Sequence, residues 1–75
     1  MIMFAKNEIR ARARLSRGLV HILKDDVDML NIDADDFNLF TINESIKEVK
    51  NTLRDMTDNL NELELAVEVV KERLS

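Results

Sequence analysis

Residues 42–74 read INESIKEVKNTLRDMTDNLNELELAVEVVKERL. Apolar side chains recur in this stretch at alternating spacings of four and three residues, at Ile42, Ile46, Val49, Leu53, Met56, Leu60, Leu63, Val67, Val70 and Leu74. An apolar period of 3.5 residues, kept without a missed step over more than four heptads, is typical of a coiled-coil or bundle helix. The stretch therefore predicts one long amphipathic helix over about residues 42–74.

The start of this helix carries capping signals, because Thr41 and Glu44 have the spacing of a capping box and Asn43 is a second candidate cap. One row beside the apolar stripe contains only short, uncharged side chains: Ser45, Thr52, Asn59 and Ala66. Short side chains let another helix approach closely. They also leave few charges to direct a parallel two-stranded coiled coil, so the row favours a helical bundle.

A second amphipathic helix is predicted over about residues 3–30, with two apolar stripes. The first matches the 42–74 helix in spacing and consists of Ile9, Ala13, Ser16, Val20, Leu23, Val27 and Leu30. The second consists of Leu15, Leu19, Ile22 and Met29. Together they span an arc of about 200°, roughly twice what one packing neighbour needs. We expect the 42–74 helix to cover the first stripe and to leave the second uncovered.

The composition agrees with an all-α fold. The chain has 75 residues, one glycine, no proline and no cysteine, and 45% of its residues are hydrophobic. Without cysteine, disulfides and thiolate metal sites are excluded, and no apolar run approaches the roughly 18 residues of a membrane span. We predict a single domain over residues 1–75. It is an antiparallel helical hairpin with a short helical turn between its helices, at about residues 31–40.

The uncovered second stripe predicts a homodimer. When the stripe is extended to its charged neighbours, it reads Glu8, Arg12, Leu15, Leu19, Ile22, Asp26 and Met29. This order is nearly palindromic about Leu19, so in antiparallel self-pairing Arg12 faces Asp26 of a second copy. The alternative is that Arg12 extends to the surface beside Glu8 of its own helix. The expected product of dimerisation is a four-helix bundle. Its interface comprises Arg12, Leu15, Leu19, Ile22, Asp26 and Met29.

The net charge of −4 hides an uneven distribution, because residues 1–24 sum to +5 and residues 25–75 to −9. Most cations of the first part lie on one face of the predicted helix, the basic stripe of Lys6, Arg10, Arg14, Arg17, His21 and Lys24. The stripe extends over about 27 Å and suits an acidic partner or a phosphate backbone. The alternative is a solvated face balanced by the acidic remainder of the chain.

Aspartates cluster after the basic stripe and predict an acidic turn as a second interaction surface: Asp25, Asp28, Asp33, Asp35 and Asp36. The cluster is alternatively a solvated turn, or a pairing surface for Arg10 and Arg12 of a second copy. A calcium loop starting at Asp33 is rejected, because Phe37 occupies a ligand position and Asn38 stands at the required glycine. We expect no metal and no cofactor.

A hairpin dimer with the run Asp33-Ala34-Asp35-Asp36 in its connection resembles the Rop family of plasmid RNA-binding proteins, whose helical hairpins dimerise into four-helix bundles. The resemblance covers these four residues and implies an RNA-binding role. In that family a phenylalanine of the first helix contributes to RNA contact, whereas the basic stripe of this chain contains no aromatic residue.

Catalysis is not expected, because the sequence offers neither a nucleophile–base set nor a glycine-rich phosphate loop. We expect a cytoplasmic, non-enzymatic regulator, adaptor or inhibitor that dimerises and binds a protein partner. The alternative is an RNA-binding regulator that uses the basic stripe. A mitochondrial presequence or a membrane-surface helix also fits residues 1–23, but the match between the two apolar stripes favours the hairpin, so a membrane partner is not expected.

Overall fold

The computed structural model describes residues 2–74, with side chains from residue 6 onward. It contains helix α1 (Ile2–Asp36) and helix α2 (Leu39–Leu74), which pack side by side in antiparallel directions. The resulting rod measures 55 × 14 × 13 Å. The predicted all-α helical hairpin is therefore confirmed. None of the helices in the described range combines the length and apolar character that crossing a membrane requires.

The connection between the helices is shorter than predicted. Instead of a ten-residue segment with its own helical turn, α1 continues to Asp36 and only Phe37 and Asn38 lie between the helices. Nothing in residues 31–36 breaks a helix, since they contain neither glycine nor proline. Helix α1 ends where Phe37 adopts a left-handed backbone conformation with φ of 53°, the usual geometry just after a helix C-terminus.

The N-cap of helix α2 is Asn38. The sequence predicts Thr41 or Asn43 in this role, and neither of them is the cap. The Asn38 Oδ1 atom accepts hydrogen bonds from the backbone N–H groups of Phe40 at 3.1 Å and Thr41 at 3.2 Å. Thr41 instead donates its hydroxyl to the Asn38 carbonyl. Asn38 thus satisfies two N–H groups that have no acceptor inside the helix, which is the function of an N-cap.

Two rows of side chains on each helix form the contact between the helices. In α1 one row is Ile9, Ser16, Leu23 and Leu30, and the other is Arg12, Leu19, Asp26 and Asp33. In α2 one row is Ile42, Val49, Met56, Leu63 and Val70, and the other is Ser45, Thr52, Asn59 and Ala66. The predicted row of short side chains does therefore lie against another helix, and that helix is α1.

Each helix is rotated about its own axis relative to the predicted packing. We expected α2 to cover the whole stripe from Ile9 to Leu30, but Val20 and Val27 of that stripe stay exposed while Leu19 of the second stripe is buried. The reason is that polar residues of α1 turn toward the short polar side chains of α2, where they find hydrogen-bond partners. Among residues 6–74, Leu19 is the only hydrophobic residue that is buried.

Candidate functional site

One polar cluster between the helices is centred on Asn59, which is only 4% exposed. Its Nδ2 atom donates to the Arg12 carbonyl and to the Ser16 hydroxyl, each at 2.9 Å. Its Oδ1 atom accepts a longer hydrogen bond from Arg12 Nη1 at 3.3 Å. The Arg12 guanidinium also pairs with Glu8 at 2.9 Å, as in the alternative role considered for Arg12. Asn59 therefore fixes the position of α2 along α1.

Two aspartates of α1 continue this polar contact toward the connection. Asp26 accepts a hydrogen bond of 2.6 Å from the Thr52 hydroxyl, and Asp33 accepts one from the Ser45 hydroxyl. No buried polar side-chain atom of the described residues lacks a partner. We call the contacts of Arg12, Asp26 and Asp33 with α2 the polar seam. Because each contact joins one position in α1 to one in α2, the seam specifies the register of the hairpin.

The six residues predicted for the dimer interface fall into two groups. Arg12, Leu19 and Asp26 lie in the contact with α2 inside the chain. Leu15, Ile22 and Met29 lie outside that contact and are 46–53% exposed. The pairing of Arg12 with Asp26 of a second copy stays a prediction, and each of these side chains has a partner within its own hairpin.

The two broad faces of the hairpin follow from the contact rows. Two antiparallel helices are related by an approximate twofold axis perpendicular to the plane that contains both of them. Rotation about this axis exchanges the helices and maps each broad face of the pair onto itself. Positions four residues after the Ile9 row and four residues after the Ile42 row therefore lie on the same face. We call the central residues at these positions the apolar face: Ala13, Val20, Val27, Ile46, Leu53, Leu60 and Val67. Ala34 and Leu74 occupy the same two rows nearer the C-terminal ends of the helices.

The apolar face is incompletely covered in the single hairpin. Val20, Val27, Leu53, Leu60 and Val67 are 37–51% exposed, Ala13 is exposed and Ile46 is half-buried. Both helices contribute to the face. The residues that follow one another at seven-residue spacing, from Ala13 to Val27 in α1 and from Ile46 to Val67 in α2, include no charged residue. Scattered exposed apolar residues are normal on a protein surface, but a continuous patch of them marks an interaction site.

The opposite face is mixed in character. On α1 it presents Leu15, Ile22 and Met29, the uncovered part of the predicted dimer stripe. On α2 the equivalent positions, one residue before the Ile42 row, are occupied by Thr41, Glu48, Asp55, Glu62 and Val69. A partner on this face would meet an apolar strip on one helix and carboxylates on the other. We call it the mixed face.

All six residues of the basic stripe are exposed on α1. Arg10, Arg17 and Lys24 lie one residue after the Ile9 row, which places them along the α1 edge of the apolar face. Within residues 6–74 none of the five cations forms an ion pair with a carboxylate. The structure therefore does not pair the stripe with the acidic residues of α2. Arg14 and Arg17 also border, with Ala13, an open depression at the surface.

The five aspartates predicted as an acidic turn all lie within α1, since the connection itself is Phe37 and Asn38. Asp25, Asp28, Asp35 and Asp36 are exposed, whereas Asp33 is half-buried against Ser45. They give the connection end of the hairpin a negative surface. Within the described part of the chain, no three His, Cys, Asp or Glu side chains lie close enough together to hold a metal ion.

Reasoning from the sequence missed the polar seam as a contact inside the chain. The sequence predicts Arg12 and Asp26 in a dimer interface and Asp33 in an acidic turn. A signal was available, because Arg12, Asp26 and Asp33 share one heptad row and the polar row of α2 has the same seven-residue period. Two polar rows of equal period on adjacent helices can satisfy each other.

Comparisons with known proteins supply no relative: no protein-family model, curated protein or solved structure matches this chain. The run from Asp33 to Asp36, which carries the resemblance to the Rop family, forms the last turn of α1.

Proposed function

We propose that this protein is a cytoplasmic, non-enzymatic interaction protein, a regulator, adaptor or inhibitor. Its hairpin self-associates into a four-helix bundle, and the bundle binds an acidic surface of a protein partner. The observation that carries the proposal is the exposure of the apolar face, to which both helices contribute. A hairpin of two helices has no interior in which these side chains could be buried, so a second molecule must supply the cover.

The accessible surface of the chain supports self-association. It amounts to 5989 Å² for a mass of 8.7 kDa. A compact monomer of this mass exposes about 4,700 Å² on the usual scaling, so this chain exposes about 1,250 Å² more. A standard protein–protein interface buries about 800 Å² per partner. The excess surface of one hairpin is therefore large enough for an interface of standard size.

The basic stripe supports an acidic partner. Its cations are exposed and have no carboxylate partner among the described side chains, although the chain as a whole carries a net charge of −4. Unpaired cations on one helix face attract an oppositely charged surface and raise the rate of encounter with it. Catalytic chemistry is not proposed, because the stripe contains one histidine, His21, on an exposed position and no nucleophile beside it.

Light scattering coupled to size exclusion tests self-association. At micromolar concentration we expect a mass of twice the 8.7 kDa chain, accompanied by a helical circular dichroism spectrum. A folded single chain across the micromolar range would refute the proposed self-association.

Charge reversal tests the basic stripe. Arg14→Glu with Arg17→Glu should abolish binding to a fluorescent polyglutamate peptide. The matched control Lys50→Glu with Arg54→Glu makes the same charge change at exposed positions of α2 and should retain binding. Equal losses in the two double variants would show that net charge, and not the stripe, determines binding.

RNA binding is the second candidate, and the length of the unpaired basic stripe favours it. An RNA hairpin should then bind with an affinity that falls steeply with salt, because each phosphate contact releases a counterion. The variant with Arg14→Glu and Arg17→Glu should reduce the salt slope by about two. Absence of RNA binding at 50 mM salt would exclude this candidate.

A further inference from the structure

We propose that a second copy of the chain docks on the apolar face. The two hairpins pack face to face about a twofold axis at Val20, so that each helix runs antiparallel to the same helix of the other copy. This inference rests on the proposed self-association and adds to it the interface and the register. It places the interface on a face that both helices build, and it differs from the predicted pairing of Arg12 with Asp26.

The composition of the two faces decides which one a second copy covers. The apolar face contributes apolar residues from α1 and from α2 at the same heights of the rod. The mixed face contributes Leu15, Ile22 and Met29 from α1 but Glu48, Asp55 and Glu62 from α2. Burying the mixed face would strip water from these carboxylates, which is costly unless each finds a partner.

The apolar face is also symmetric. In α1 its residues are Ala13, Val20 and Val27, so a twofold axis at Val20 brings Val20 onto itself and Ala13 onto Val27 of the second copy. In α2 its residues are Ile46, Leu53, Leu60 and Val67, so an axis midway between Leu53 and Leu60 pairs Leu53 with Leu60 and Ile46 with Val67. Each helix row is thus self-complementary, as an interface with twofold symmetry requires.

The axis of the α1 row and the axis of the α2 row lie at about the same height of the hairpin. Hydrogen bonds between the helices join Arg12 and Ser16 to Asn59, Asp26 to Thr52 and Asp33 to Ser45, so residues at about the same height have numbers that add up to 71–78. Val20 therefore lies level with residues 51–58 of α2. The midpoint between Leu53 and Leu60 falls in this range. One twofold axis consequently serves both helices.

The charges at the two ends of the hairpin favour the antiparallel arrangement over the parallel one. In each hairpin the end with the connection is negative through Asp35, Asp36 and neighbouring aspartates, while the other end of α1 carries Lys6 and Arg10. Antiparallel packing lays the negative end of one copy beside the positive end of the other, whereas parallel packing would join two negative ends. It also brings both basic stripes to one edge of the dimer, where their like charges repel each other and an acidic partner would offset the repulsion.

Single-cysteine crosslinking tests the axis, since the natural chain contains no cysteine. Val20→Cys should form a disulfide-linked dimer under oxidising conditions, at least tenfold faster than Ile22→Cys. Ile22 is the matched control because it is an equally exposed apolar residue of α1, 50% against 51%, on the mixed face. Ala13→Cys mixed with Val27→Cys should crosslink, whereas each alone should not.

A substitution in α2 tests the same interface without cysteine. Leu60→Glu should raise the dissociation constant of the dimer at least a hundredfold, whereas Leu65→Glu, at an exposed position outside the apolar face, should leave it within about threefold. Circular dichroism at high protein concentration confirms that each variant still forms helix.

The outcomes separate this inference from the proposed self-association. A monomer in light scattering refutes both. A wild-type dimer in which Val20→Cys fails to crosslink, or in which Leu15→Cys and Ile22→Cys crosslink each other efficiently, overturns the apolar-face register while self-association stands. A wild-type dimer that Leu60→Glu does not weaken overturns it as well.

Discussion

Thr52→Val removes one hydroxyl from the polar seam and keeps the shape and branching of the side chain. Thr52 is 6% exposed and donates a 2.6 Å hydrogen bond to Asp26, whose side chain is half-buried. A hydrogen bond to a charged group contributes about 1.5–3 kcal/mol to stability, and partial exposure of Asp26 favours the lower half of this range. We therefore expect the free energy of unfolding to fall by about 1.5–2 kcal/mol, which lowers Tm by roughly 10 °C for a domain of this size.

Thermal unfolding followed by circular dichroism measures this change, at one fixed protein concentration because association contributes to stability. Thr57→Val is the matched control: Thr57 is exposed and its hydroxyl bonds only to the Leu53 carbonyl of its own helix, so the change should stay within about 0.5 kcal/mol. Combining Thr52→Val with Asp26→Leu should recover most of the loss, since both partners are then apolar. A Thr52→Val variant as stable as wild type would refute the structural role of the seam.

Two further predictions concern the connection. Asn38→Ala should destabilise the hairpin by about 1 kcal/mol through loss of the N-cap, whereas Asn43→Ala, at an exposed position inside α2, should be neutral or slightly stabilising in the same melting assay. Phe37→Gly should stabilise by up to about 1 kcal/mol, because Phe37 is 77% exposed and glycine adopts its φ of 53° without strain. Phe40→Gly, inside α2, should instead cost about 1 kcal/mol in chemical denaturation, and the reverse order for the two glycine variants would contradict the assigned end of α1.

Much of the fold could be predicted from the sequence because it depends on local periodicity. The 3.5-residue spacing of apolar side chains, the absence of proline and the single glycine require long helices, and a short connection then makes them antiparallel neighbours. The end of α1 could not be located in this way. Residues 31–36 contain aspartates that are common in turns and equally acceptable in a helix, and the bond from Ser45 to Asp33 forms only once the helices pack.

The candidate surfaces were predicted to different degrees. The basic stripe depends only on spacing within one helix, and the structure shows its residues exposed, as a helical stripe opposite the apolar arc should be. The apolar face could not be predicted, because it depends on how far each helix rotates about its own axis against the other. Val20 and Leu19 are adjacent in sequence and lie in different apolar rows, and only packing decides which of them is buried.

The amino-acid sequence alone determined that this chain forms two amphipathic helices with more apolar surface than a hairpin can cover, because helical periodicity is a local property of the chain. The tertiary structure alone decided which residues face the neighbouring helix. Arg12, Asp26 and Asp33 turn inward to polar partners on α2, and this rotation leaves the apolar residues of both helices together on one face. The physical reason is that a polar group removed from water needs a hydrogen-bond partner, and Asn59, Thr52 and Ser45 of α2 supply one at each of these three positions.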